Sequence, residues 1–305
     1  MSERVPGRLR AKALTLAVAS LALLTAACGL GSTGSASGKV EVVAAENFWG
    51  SIATQIGGDK VHVVSVITNP DTDPHDYEAK PDDAKKIAVA NYVIVNGAGY
   101  DPWASKLVAA NPVTGRQTLD IGELVGVKEG GNPHFWYSPD YVNKVIDQIT
   151  ADLKKLDSAD ASYFDTQSSN YKNLGLKDYK DTIASIKKKY SGVAVGATES
   201  IFVYVADATG LKLITPPDYM KAISDGTDPS ASDKATVDQQ VASKKVKVLV
   251  FNMQNTTPSV TAVATKAKAV GIPVVEITET LTPAESTFQA WQTTQLKALL
   301  KALGG

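Results

Sequence analysis

An α/β fold of two four-stranded parallel-sheet lobes joined by one long connecting helix is predicted by three observations. From Lys39 onward, runs rich in Val and Ile alternate with helical patterns. These runs fall into two sets of four, and the stretch between the sets has no strand signal. Strand-helix alternation implies parallel sheets covered on both faces, because each parallel connection has to cross back over the sheet. The chain is also long for one domain and comfortable for two small ones.

The first residues read as an export signal. Arg4, Arg8, Arg10 and Lys12 precede an apolar run from Ala13 to Leu24, and small residues Ala26-Ala27 follow before Cys28, so residues 1–27 are read as a signal peptide. That run is too short to span a bilayer as a mature helix. Cys28 is the only cysteine, which excludes a disulfide within the chain. Leu24-Thr25-Ala26-Ala27-Cys28-Gly29 resembles a bacterial lipobox, with Thr25 where leucine is usual, and the resemblance implies lipidation at Cys28. Residues 28–38 are small and without apolar period, as in a flexible tether between an anchor and a folded unit.

The N-terminal lobe, 39–138, takes strands at 39–45, 60–67, 92–96 and 117–121. A helical segment, 139–190, follows, with Lys, Asp and Tyr at helical spacing over 139–156 and about 160–190; it includes the interlobe helix. Lys187-Lys188-Lys189 reads as a solvated face. The C-terminal lobe, 191–305, takes strands at 192–197, 211–215, 246–251 and 272–277. Without residues 1–27 the chain keeps 27 basic and 31 acidic residues, a net charge of −4, and it has no clustered basic face. That balance argues against nucleic acid as a partner. No Walker-type loop or dinucleotide glycine fingerprint occurs.

Two of the three histidines follow a proline in a polar turn, in Asp73-Pro74-His75-Asp76-Tyr77-Glu78 and Asn132-Pro133-His134-Phe135-Trp136. Neutral imidazole is the commonest ligand for a transition metal, and proline lowers the entropy lost when the next residue is fixed. Open parallel sheets bind ligands beyond the carboxyl ends of their strands. His75 follows the second predicted strand and His134 the fourth, while Glu199 and Glu279 follow the first and last strands of the second lobe. Two imidazoles and two carboxylates could therefore meet across the cleft between lobes.

DPHDYE, NPHFWYSP, TESIFVYVADATGL and ITETL together resemble the metal-binding ABC-transporter solute-binding lipoproteins, the zinc and manganese receptors sometimes called cluster A-I. The likeness runs from about Lys39 to Leu303. It implies two α/β lobes joined by a rigid helix, one divalent metal between them, and His75, His134, Glu199 and Glu279 as its ligands. Glu199 falls where the family has histidine or glutamate. Glu279 falls where aspartate is usual and adds one methylene, which leaves Glu276, Asp218, Asp225 and Asp228 as substitutes. The implied protein is a monomeric, lipid-anchored extracytoplasmic receptor serving an ABC permease and its ATPase, not an enzyme.

The cargo expected is one Mn2+ or Zn2+ ion. Carboxylate oxygens incline the reading to manganese, although zinc binds such sites more tightly in the general affinity order. Two other classes compete: a secreted metal-dependent hydrolase, which would need an open coordination position and a base motif such as HExxH, and a surface adhesin of the same family. Blander readings cover the rest. His62 is a strand surface residue, and Trp49, Trp103 and Trp291 are core. Trp136 and Tyr137 are expected to wall the site, and Glu46 and Asn47 to cap the first helix.

Overall fold

The computed structural model describes residues 38–305; the expected signal peptide, Cys28 and all but the last tether residue lie outside the described residues. The first lobe runs β1 (Val40–Glu46), α1 (Asn47–Gly57), β2 (Val61–Ile67), α2 (Pro81–Val89), β3 (Tyr92–Val95), α3 (Pro102–Ala110), β4 (Gln117–Asp120) and α4 (Ile121–Val125). Its strands are all parallel in the order β2-β1-β3-β4. The two central strands, VEVVAAE and YVIV, are buried almost throughout, as strands covered on both faces should be. Edge strand β2 leaves His62 exposed, with Nδ1 2.7 Å from Glu41 Oε2. It is a surface residue.

Proline opens α2, α3 and the next helix, α5 (Pro139–Leu156), where its missing N–H costs nothing and its φ is already helical. Ser138 caps α5, accepting from Tyr141 N–H. Instead of joining the lobes, α5 packs on α1, α4 and β4 of the first lobe. The crossing is made by α6 (Ala161–Asn170), a π-helical stretch Tyr171–Gly175, and α7 (Lys177–Tyr190). α6 lies on α1 and α5, whereas α7 lies on helices of the second lobe. The connection is thus two α-helices meeting through a π turn, where Asn173 and Gly175 weaken the α ladder. Lys187, Lys188 and Lys189 are exposed in the last turn of α7, the end a cation favours.

The second lobe runs β5 (Ala194–Ala197), α8 (Val203–Thr209), β6 (Lys212–Leu213), α9 (Pro217–Ser224), α10 (Ala231–Ala242), β7 (Leu249–Asn252), α11 (Pro258–Ala269), β8 (Val274–Ile277) and α12 (Phe288–Leu303). Its parallel order is β6-β5-β7-β8. These strands are shorter than the apolar runs suggest. β6 stops early because Thr215 Oγ1, rather than a backbone carbonyl, takes Ala197 N–H at 3.0 Å, and Pro216-Pro217 have no N–H to offer a ladder.

An aromatic seam joins the lobes. Phe48 stacks on Trp136 with centroids 4.1 Å apart, and Trp291 of α12 lies 6.4 Å from Phe48 and 5.9 Å from Tyr137. Trp49, Trp136 and Trp291 are fully buried there, and Trp103 is buried in a smaller cluster behind the first sheet. Each well-oriented aromatic pair adds about 0.5–1.5 kcal/mol beyond its buried area.

Candidate metal centre

Both histidine loops are fixed by short-range bonds. Asp73 Oδ1 accepts His75 N–H at 2.9 Å, closing the turn that Pro74 begins. The second loop is tied to the first sheet, since Asn96 Nδ2 donates to Pro133 O at 2.9 Å. Asn96 follows β3, and Gly97 after it takes φ +74; a Cβ there would sit 2.1 Å from Asp120 Oδ1, so only glycine fits. Asn132 then orients the imidazole. Its Nδ2 donates to Ser200 O at 2.8 Å, which leaves Oδ1 to accept His134 Nδ1–H at 2.7 Å. With the proton on Nδ1, the Nε2 lone pair points into the site.

Glu199 follows β5 and Glu279 follows β8, both at carboxyl ends and both buried to within 1 %. His75 Nε2 lies 3.5 Å from Glu279 Oε2, and His134 Nε2 lies 3.3 Å from Glu199 Oε1 and 4.0 Å from Glu279 Oε2. One ligand atom from each of the four residues falls within 4.8 Å of all the others. Neither Nε2 has a hydrogen-bond partner, although both are buried. Buried polar atoms are nearly always paired, so two orphaned lone pairs facing two carboxylates call for a cation.

The carboxylates differ in charge state. Burial, then the charge of Glu199, pushes Glu279 up to about 8. Burial acts to raise Glu199 too, but the proximity of His134, then that of His75, outweighs it and holds Glu199 low. Tyr100 donates its O–H to Glu279 Oε2 at 2.7 Å, and burial together with Glu279 keeps that phenol protonated.

The substitute ligands do not approach. Glu276 is exposed on β8 and meets Lys268 at 3.4 Å, Asp225 pairs with Lys221, and Asp218 and Asp228 are exposed. Trp136 does flank the site, 5.3 Å from the His134 ring. Tyr137 does not. Its O–H reaches Thr278 O at 2.8 Å, bracing the residue before Glu279, while Tyr100, 4.7 Å from His75, takes the other wall.

Glu46 stands at the N-cap position of α1, but neither it nor Asn47 caps the helix through its side chain. Glu46 ends β1 with both oxygens buried and unpartnered, and burial followed by the charge of Asp101 raises its pKa well above the usual range. Asn47 Oδ1 instead accepts Leu281 N–H at 3.1 Å across the lobes.

Four further residues support the four candidate metal-binding residues, and residue type alone does not announce them. Asn252 Nδ2 donates to Glu199 Oε2 and Glu279 Oε1, and Ser224 Oγ donates to Glu199 Oε1 at 3.0 Å. Gln254 Oε1 accepts the N–H of Glu279 at 2.6 Å and of Thr280 at 3.0 Å, while its Nε2 donates to Thr72 O at 2.9 Å in the His75 loop. Tyr100 is the fourth. The available signal was position: Asn252 and Gln254 stand at the carboxyl end of β7, where the strand-end rule applies as it does to Glu199.

Residues 42–302 match the family described as ZnuA, zinc-uptake complex component A, periplasmic. The metal ABC transporter substrate-binding lipoprotein FimA of Streptococcus parasanguinis is 28% identical over 253 residues, covering 78% of this chain and 80% of FimA. The high-affinity zinc uptake system protein ZnuA of Bacillus subtilis is 26% identical over 256 residues, covering 77% of this chain and 78% of its own length. The manganese-bound form of a mutant periplasmic metal-binding protein from Candidatus Liberibacter asiaticus has the same fold, with a TM-score of 0.73, 20% identity, and coverage of 87% of this chain and all of its own. Such relatives are substrate-binding components of ABC transporters rather than enzymes. The chain belongs to the ZnuA family of metal-binding ABC-transporter substrate-binding proteins.

Proposed function

We propose that this chain captures one divalent transition metal ion, manganese or zinc, outside the cytoplasm and delivers it to the permease and ATPase of an ABC importer. His75, His134, Glu199 and Glu279 bind the ion. The observation that carries this reading is the pair of buried, unpartnered imidazole nitrogens facing two buried carboxylates. Four protein donors leave little room for a reactive water, so binding is the function and no bond is made or broken. Relatives named for manganese and for zinc support the class of ion. The mature chain is held to the membrane as a monomer by lipid at Cys28, and Cys28→Ala should release it from the membrane fraction or leave it unprocessed.

Calorimetric titration of metal-stripped protein with manganese and with zinc tests the reading. One ion should bind per chain. His75→Ala and His134→Ala should each lower affinity by orders of magnitude, because each removes a ligand bond. Tight one-to-one binding by the double variant would remove these residues from the site.

A further inference from the structure

Asn252 is the last residue of β7, the strand lying between β5 and β8, whose ends lead into Glu199 and Glu279. Sheet order therefore puts one amide between the two carboxylates. Its Nδ2 lies 2.5 Å from Glu199 Oε2 and 2.8 Å from Glu279 Oε1, so the two amide protons go one to each. The amide cannot rotate freely, since Oδ1 accepts Gln254 N–H at 3.0 Å, and the residue is 1 % exposed.

The other oxygen of each carboxylate faces the imidazoles. Glu199 Oε1 is 3.3 Å from His134 Nε2, and Glu279 Oε2 is 3.5 Å from His75 Nε2. Ser224 and Tyr100 donate to these inner oxygens, each of which has a second lone pair for an ion. The outer oxygens are held by Asn252. Chelation through both oxygens needs the carboxylate to turn until the outer oxygen also faces the ion, which draws that oxygen away from Asn252 in a buried place where the amide has no water to turn to.

We propose that Asn252 is a positioning residue that keeps both ligand carboxylates one-toothed, and thereby selects a four-coordinate ion, zinc, over manganese. Zinc is satisfied by four donors in a tetrahedron, whereas manganese belongs with the ions that take six mostly oxygen ligands. Counting four carboxylate oxygens inclines the reading to manganese; two of them are already spoken for. The inference rests on His75, His134, Glu199 and Glu279 binding the ion.

Cobalt(II) is the probe that separates the two ideas, because its visible absorption is strong when four-coordinate and weak when five- or six-coordinate. Full-length protein and the variants Asn252→Leu and Asn252→Ser would be metal-stripped, loaded with cobalt, and titrated with zinc against manganese. Wild type should give the strong tetrahedral spectrum. Both variants should lose intensity, and their zinc-to-manganese affinity ratio should fall by roughly 10- to 100-fold, the size of effect expected when the outer partner of a metal ligand is removed. Serine occupies less space, so it carries the test should leucine fail to pack; a thermal melt shows which variants are folded. A weak cobalt spectrum in wild type, or folded variants that keep both spectrum and ratio, would overturn the role of Asn252 alone. Failure of wild type to bind any ion would overturn the receptor reading itself.

Discussion

Lowering the pH from about 8 to about 6 should weaken ion binding about 50-fold through Glu279 alone, or about 2.3 kcal/mol. The value follows from where this carboxyl sits. Burial and the charge of Glu199 raise it to about 8 in the ion-free protein, so at neutral pH about nine molecules in ten carry a proton there. The bound ion needs the carboxylate. Its affinity is therefore full only above about 8 and is lost as pH falls below it, with the imidazoles adding their own proton competition.

Calorimetry at several pH values, in two buffers of different ionisation enthalpy, gives both the affinity and the number of protons released. Binding near pH ~7 should release about one proton that Glu279 supplies. Tyr100→Phe separates this from the histidines. The Tyr100 hydroxyl bonds to Glu279 Oε2 and lowers its pKa, so losing it should move the profile to higher pH. An affinity that stays flat from about 6 to about 8, or binding at neutral pH without proton release, would refute a protonated Glu279.

Three other expectations follow from the same network. Glu46→Gln should stabilise the fold at neutral pH by roughly 1–3 kcal/mol, because a raised carboxyl pKa means stability is lost as pH rises from the unfolded value towards the folded one; the gain in melting temperature should vanish near pH ~4, where Glu46 is protonated in both states. Gln254→Ala removes the bonds to Glu279, Thr280 and Thr72 and should lower ion affinity roughly 10- to 100-fold, measured by the same titration, with His75 and Glu279 themselves intact. Zinc or manganese at about a hundredfold excess over the dissociation constant should stabilise the protein by about 2.7 kcal/mol in a thermal scan, and calcium and magnesium, which gain little from imidazole, should move the transition least.

Much of this was legible in the sequence because two rules act locally. Alternating Val- and Ile-rich runs specify buried parallel strands, and all eight appear, trimmed by a residue or more where Gly192 or Pro216 interrupts the ladder. The strand-end rule then puts His75, His134, Glu199 and Glu279 at one edge of each sheet. Other features depend on partners distant in sequence. Glu46 and Asn47 look like capping side chains, yet Asp101 comes beside Glu46 and Leu281 N–H takes the oxygen of Asn47, both from distant parts of the sequence. Tyr137 looks like a site wall because it follows His134, yet its direction is set by Thr278, on the opposite lobe. The π stretch between α6 and α7, and the packing of these helices on different lobes, likewise lie beyond what helical periodicity encodes.

The loops also differ in how firmly they are held, which bears on how an enclosed ion leaves. The side chains of His134, Glu199 and Glu279 are fully closed to solvent, while that of His75 is 19% exposed. A hollow of about 590 Å³ lies outside it, lined by residues including Asp73, Glu129, Lys221 and Asn255. His134 is fixed by Asn132 and Asn96, and the carboxylates by Asn252, so moving any of them breaks buried bonds. The His75 turn is closed mainly by its own Asp73, with Gln254 reaching Thr72 from the second lobe. Each such hydrogen bond is worth about 1 kcal/mol net, so this side of the site separates at least cost. Under the proposed ligand set, exchange is expected past His75, and Gln254→Ala, which removes the bond to Thr72, should speed transfer of a bound ion to a chelator; an unchanged release rate would refute this route.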